Sequence, residues 1–354
     1  MKRSLIYELR RISLPLCIFT AIASAIFAVN ALTTEYIGPN YYNPSAPIGA
    51  KNSLVYIPML ILFALCYIVP ALQFSYRMNK RSTDLWYALP INRKKLMSVR
   101  LIGGLLLLLI PYTISYFLGF TIIACSENLF DLVWYIPLYL ASLPTALCLF
   151  GINAFCFTRA NTVRDGIIFI FILNLALLMP LLFLLNYFYR YLPSLFLNSL
   201  GLMPIGAPIH IFLFFDGRIL NHTTYNNTSG LIFSCILCVA ESAGAYFGLF
   251  YTADKHKAEN AGQISDSIFG YKVLIPWFVF FSVLINPSLL IFGTSSSLSL
   301  INILLVFICG LIAYFVYRRS FRLKKCDLLS LVLSFTAGIL VLLLIQNVIL
   351  PCLS

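Results

Sequence analysis

One carboxylate, Glu241, lies near the middle of a long apolar run, and Cys235 and Cys238 precede it at C-x-x-C spacing. An ionisable side chain at the centre of a bilayer costs about 2.5 to 3.5 kcal/mol on insertion scales, so Glu241 has to face protein or water. Gly244, Ala245 and Gly248 follow it at i+3, i+4 and i+7. With Ala240, Gly244 and Gly248 repeat a small residue every four positions, a stripe that lets another helix approach closely. Two roles for Glu241 stay open. Either it fixes helix packing as a protonated or hydrogen-bonded side chain, or it lines a substrate path or relays protons. The cysteine pair has no second pair and no nearby His, so its spacing does not favour zinc or redox chemistry. His210, His222 and His256 are scattered, and no G-x-x-x-x-G-K-[ST], H-E-x-x-H or strand-borne glycine loop occurs. The chain carries no catalytic constellation, no metal site and no cofactor motif.

The surroundings of these residues explain why. Of 354 residues 61% are hydrophobic and only 10% charged, with a mean hydropathy of +0.93. Repeated apolar runs reach the roughly 20 residues that a bilayer-spanning helix needs, and they are apolar all round. A membrane barrel would alternate apolar and polar residues, and a soluble core would need more polar surface. An all-α polytopic membrane protein is expected.

Nine spans are expected, near residues 12–34, 54–76, 99–123, 132–157, 166–189, 230–252, 273–292, 298–317 and 328–350. Cytoplasmic loops should hold the Lys and Arg. With the N-terminus inside and the C-terminus outside, all of the 24 basic residues except Lys51, Arg190 and Arg218 fall on the inner side. The net charge of +12 then follows from topology and attraction to an anionic inner leaflet, and nucleic acid is not needed as a partner.

Residues 193–215 are apolar but broken by Pro193, Gly201, Pro204, Gly206 and Pro208. Each half is about 10 residues, or about 15 Å of helix, half a bilayer. Counting this stretch as a span would export Lys255, Lys257, Lys272 and the cluster from Arg318 to Lys325. A re-entrant hairpin on the outer side, or an outer loop with buried side chains, accommodates it instead. At the N-terminus, Lys2, Arg3, Arg10 and Arg11 precede an apolar run with Ala23-Ser24-Ala25, as in a signal peptide; the run's length favours a retained span. Most of the ten cysteines sit in or beside spans as small hydrophobes, and Cys125 and Cys352 near the outer face could pair. Sequons begin at Asn221, Asn226 and Asn227.

The most informative loop runs over residues 77–100, between two spans. Ser82, Thr83 and Asp84 are candidate N-caps, and Leu85, Trp86, Ala88 and Leu89 form an apolar face before Pro90 discourages continuation. A helix of one or two turns over 83–90 is too short to stand alone and needs a partner surface. Asn92 can cap the next helix, with Arg93, Lys94 and Lys95 at headgroup level. A headgroup-belt helix holding Trp86 and Tyr87 is the alternative.

Leu89-Pro90-Ile91-Asn92-Arg93-Lys94-Lys95-Leu96, followed by a span opening on Gly103-Gly104, resembles the permease subunits of type 2 ABC exporters. Lys257-Ala258-Glu259-Asn260-Ala261-Gly262 is similar to a segment of such permeases from Gram-positive bacteria. The resemblance covers residues 1–265 and implies a six-helix permease core with a coupling helix between the second and third spans and a re-entrant hairpin between the fifth and sixth. Residues 266–354 would add three helices beyond that core.

What the resemblance implies is an integral protein of the bacterial cytoplasmic membrane that exports an amphipathic substrate, a peptide antibiotic or lipid-like molecule. ATP and Mg would sit on a separate cytosolic ATPase, so this chain would be no enzyme. Asp84, Leu85, Trp86, Leu89, Pro90 and Arg93 would couple to that ATPase, and Glu241, Gly244 and Gly248 would line the path or pack helices. Other partners would be a second permease copy or paralogue and membrane lipids. Rival expectations are a membrane sensor or assembly factor without transport, a secondary transporter using Glu241, and a membrane enzyme built on Glu241, Asn153, Asn174 and Asn347.

Overall fold

A computed structural model describes residues 2–33, 36–37, 49–50, 55–88, 92–126, 132–188, 205–219, 228–254, 258–265, 270–285 and 296–349. The long helices are α1 (Lys2–Thr33), α2 (Tyr56–Phe74), α4 (Arg93–Cys125), α5 (Tyr135–Thr158), α6 (Val163–Phe188), α8 (Thr228–Ala253) and α11 (Lys325–Leu344). Between them lie α3 (Lys80–Tyr87), α7 (Gly206–Ile219), α9 (Tyr271–Ile285) and α10 (Ser296–Arg318). Tyr36–Ile37 pairs antiparallel with Gly49–Ala50. The apolar runs become helices because a helix satisfies its own backbone polar groups where water is scarce.

Among the described residues, 7 helices are long and apolar enough to cross a membrane, drawn from α1, α2, α4, α5, α6, α8 and α11. The two remaining expected spans fall on shorter described apolar stretches. The seventh and eighth expected spans coincide with α9, of 15 described residues, and with α10, of 23. Residues 286–295 lie outside the described set.

Helix α1 lies along α4, while α2 packs on α4 and α5. Helix α5 also meets α6, α7 and α8; α9 is surrounded by α6, α10 and α11. The expected hairpin is described only in its second half, where α7 packs along the first half of α5, with Phe215 against Trp134 at a ring distance of 6.2 Å. At 14 residues α7 rises about 21 Å, short of a bilayer core. Residues 193–204, the three sequons and Cys352 fall outside the described residues.

A polar seam registers the bundle. The Asn153 amide, fully buried, donates to the Cys66 carbonyl at 3.0 Å, and its Oδ1 accepts from Asn174 at 3.0 Å. This joins α2, α5 and α6 and assigns Asn153 and Asn174 to packing. Tyr112 and Ser142 hydroxyls meet at 2.8 Å, and Tyr116 donates to the Tyr135 carbonyl at 2.7 Å, joining α4 to α5. Interhelical hydrogen bonds in membranes contribute about 0.6 kcal/mol on average and up to about 1.7 kcal/mol. We predict that Asn153→Leu lowers the unfolding free energy of the purified protein by about 1–2 kcal/mol, because it removes both the donor to the Cys66 carbonyl and the acceptor for Asn174. Denaturant titration with a double-mutant cycle against Asn174→Leu measures this; additive losses would mean that the two amides do not cooperate.

Candidate functional site

The short helix α3 begins where Asn79, in extended conformation, accepts from the Arg81 amide at 3.2 Å. It therefore starts three residues before the expected position 83. Ser82 and Thr83, expected as caps, instead donate to the Tyr76 carbonyl at 2.9 and 3.0 Å and to the Asn79 carbonyl. The 3-10 turn Ser75–Arg77 supplies that acceptor and folds α3 back beneath α2. Helix α3 closes with the Ala88 amide on the Asp84 carbonyl at 3.0 Å. Asn92 caps α4 by accepting from the Lys94 amide at 3.0 Å, as its type and position imply. Leu89, Pro90 and Ile91 lie outside the described residues.

The expected single apolar face of α3 is divided. Arg81, Asp84, Leu85 and Ala88 are exposed at i, i+3, i+4 and i+7, with Leu85 65% exposed. Thr83 is buried, and Trp86 and Tyr87 turn half inward. The Trp86 ring covers the Arg100 guanidinium at 4.3 Å and meets Tyr7 and Tyr76 edge-on at 5.9 and 6.2 Å. Trp86 thus braces the helix, while Leu85 and Asp84 face away from the bundle.

Beneath Trp86 lies a charged cluster. Arg100 is 1% exposed and Glu8 2%, and Arg100 Nη1 stands 3.2 Å from Glu8 Oε2. Tyr76 stacks against the same guanidinium at 4.7 Å. Arg11 adds a second cation on Glu8 at 2.5 Å and also bonds to the buried Gln73 side chain. The cluster ties α1, α2 and α4 together directly below α3. Gly103 makes room for it, since a Cβ there would stand 2.8 Å from Gln73 and 2.9 Å from Glu8. In the sequence these cations read only as topological charges, and no local pattern singles out Glu8. The available signal was an acid seven residues into a strongly basic N-terminus, together with the glycine one turn beyond Arg100.

Around this brace the loops at the basic ends of the helices are sewn together. Arg93 lies over the Tyr87 ring at 4.5 Å and donates to the Asp254 carbonyl at 3.1 Å, and Lys94 meets the Asp254 carboxylate at 3.3 Å. Arg159 donates to Thr252, while Ser265 donates to the Arg159 carbonyl at 2.7 Å. Gly262, at a φ of +80° that favours glycine, places its amide 2.8 Å from the Asn161 carbonyl. Burial first, and the neighbouring Arg77 charge second, push the Arg159 pKa down from its usual value, and it remains cationic at neutral pH. Helix α3 packs on the turn Ala258–Asn260, so the three loops and α3 form one platform.

Glu241 is not part of it. The side chain is half-buried on α8, with Oε2 buried and without a hydrogen-bond partner among the described residues. Gly248 packs on Phe155, whereas Gly244 is exposed with open space where a side chain would stand. The Ser242 hydroxyl donates to Cys148 Sγ at 3.2 Å, and Cys148, Cys235 and Cys238 border an apolar cavity of about 380 Å³ between α5, α7 and α8. Among the described residues no group of three His, Cys, Asp or Glu could hold a metal ion.

Removing one member of a buried ion pair costs about 3–5 kcal/mol, because the other charge is left uncompensated. We predict a loss of that order for Glu8→Ala in denaturant unfolding of the detergent-purified protein, with most of it recovered by pairing Glu8→Leu with Arg100→Met. A loss no greater than that of the exposed Lys94→Met would show that the cluster is not what holds α3.

No family profile, curated protein or solved structure matches this chain.

Proposed function

We propose that this chain is the permease subunit of an ATP-driven exporter of the type 2 ABC kind, and that α3 is the helix through which a separate cytosolic ATPase acts on it. The observation that carries the proposal is the two-sided character of α3. Eight residues are too few to hold a helix in water, yet here Trp86 is locked on the buried Arg100 while the stripe Arg81, Asp84, Leu85 and Ala88 faces outward. An exposed Leu flanked by an acid and a base suits a cleft in a partner protein. Arg93, bound to Tyr87 and Asp254, holds the helix's exit toward α4.

In this reading the chain sits in the bacterial cytoplasmic membrane with its N-terminus inside, its C-terminus outside and nine spans, α9 and α10 included. The re-entrant hairpin is the outer segment that ends in α7. ATP and Mg belong to the partner, and no residue of this chain hydrolyses ATP. Closure of the ATPase pair pushes α3, and through the Glu8–Arg100 cluster that push moves α1 and α4 together. A second permease, identical or paralogous, completes the path; the open face at Ala240 and Gly244 on α8 suits close contact with another helix. The transported molecule is amphipathic, a peptide antibiotic or lipid-like compound, since the long helices offer apolar surface and few charges. Glu241 then contacts water or substrate along α8.

The test is affinity purification of the tagged chain from its native host in mild detergent. The parent should bring an ABC ATPase with it, and Leu85→Asp should reduce that recovery at least tenfold at unchanged membrane insertion and thermal stability. Trp86→Ala should reduce both recovery and stability. A parent that purifies without any ATPase, under conditions that keep other membrane complexes intact, would overturn the proposal.

A further inference from the structure

A groove on the opposite side of the bundle from α1 joins an apolar slot to a cationic mouth. The slot, about 680 Å³, runs between α6, α9 and α10 and is lined by residues such as Ile172, Leu175, Phe278, Leu305 and Ala313. Toward the basic ends of these helices it continues past Ile168, Tyr271 and Val316 into a second cavity of about 550 Å³ that contains Arg164, Asp165 and Arg319. Arg319 also borders a third cavity, about 540 Å³, with Lys272, Arg318 and Lys324.

Among the described residues, bases outnumber acids at this mouth. Asp327 is taken up by Arg318 in a bidentate pair at 2.7 and 2.8 Å. Asp165 accepts from the Tyr271 hydroxyl at 3.0 Å and pairs with Arg319 at 3.5 Å, and the Arg319 side chain stays 53% exposed to a further anion. Arg319 sits at φ +51°, unusual for a residue with a side chain, where the chain turns over the mouth. Phe321, two residues on, is 89% exposed beside Arg322. A bare aromatic ring next to cations marks headgroup depth. The slot from Leu305 to Val316 is about 17 Å deep at 1.5 Å per residue, on the scale of an acyl chain.

We infer that this groove binds an anionic phospholipid of the leaflet that contacts the basic helix ends, one acyl chain lying between α6, α9 and α10 and the phosphate held by Arg319 and Arg164. An apolar tail matches the slot, and an anion matches a mouth where, among the described residues, Arg164 and Arg319 are exposed beside the one carboxylate Asp165. A soluble phosphate uses only the mouth, and a zwitterionic lipid brings an ammonium group against the same cations.

The full chain, reconstituted in vesicles of equal phosphatidylglycerol and phosphatidylethanolamine and re-extracted in mild detergent, should retain phosphatidylglycerol selectively when bound lipid is counted by mass spectrometry. Each cation near a membrane surface contributes about a fivefold preference for anionic lipid, so Arg164→Gln with Arg319→Gln should lower that retention by about 30-fold. A second variant, Cys309→Trp with Ala313→Trp, fills the slot without touching the mouth and should abolish retention while the thermal midpoint stays unchanged. Glycerol phosphate at millimolar concentration should not displace the lipid. Equal retention of the two lipids, or retention unchanged in the slot-filled variant, would overturn the inference. Displacement by glycerol phosphate would do so too, by making the mouth a site for soluble anions.

Discussion

The buried contact between Glu8 and Arg100 governs the basic end of this molecule. Two charges removed from water are tolerated only when their geometry is tight and their remaining valences are occupied. Here Arg11 and Gln73 extend the network and the rings of Tyr76 and Trp86 take the faces of the guanidinium, whereas Arg100 Nε and Nη2 are buried with no hydrogen-bond partner among the described residues. Because Arg100 is roofed by Trp86, it cannot extend toward solvent as an arginine at a helix end otherwise would. The register of α1 against α4 is thereby set to a single turn, and the position of α3 is set with it. Gly103 belongs to the same constraint, since any larger residue would occupy the volume of Glu8 and Gln73.

The helical class was legible because a long run of apolar residues has one low-energy solution in lipid. The seventh expected span is described only over α9, and the rest of it lies outside the described residues. The N-cap of α3 was not legible, because Asn79, Ser82, Thr83 and Asp84 all have the right chemistry. The choice among them depends on where the Tyr76 carbonyl points, which is a tertiary fact.

Within the candidate site, proximity in sequence was a fair guide and distance was not. Asn92 caps α4 as its own loop implies, whereas Asp84, expected as a cap, lies inside α3. Leu85 and Trp86, adjacent in the chain and both apolar, point to opposite environments because neighbours on a helix do not share a face. The pairing of Glu8 with Arg100 spans 92 positions, and no local pattern announces it. Asn153 and Asn174 fall between these cases: polar side chains inside spans imply a partner, though not which one.

The links that radiate from α3 differ sharply in their exposure. Glu8–Arg100 is sealed from solvent, whereas Lys94–Asp254 has both side chains about half exposed, at 54% and 50%. Exposed pairs of that kind are worth about 0–1 kcal/mol and are screened at ordinary ionic strength. A load applied to α3 therefore travels rigidly into α1 and α4 and only loosely into α8. The platform has a stiff side and a compliant side, and rising salt softens the second while leaving the first untouched.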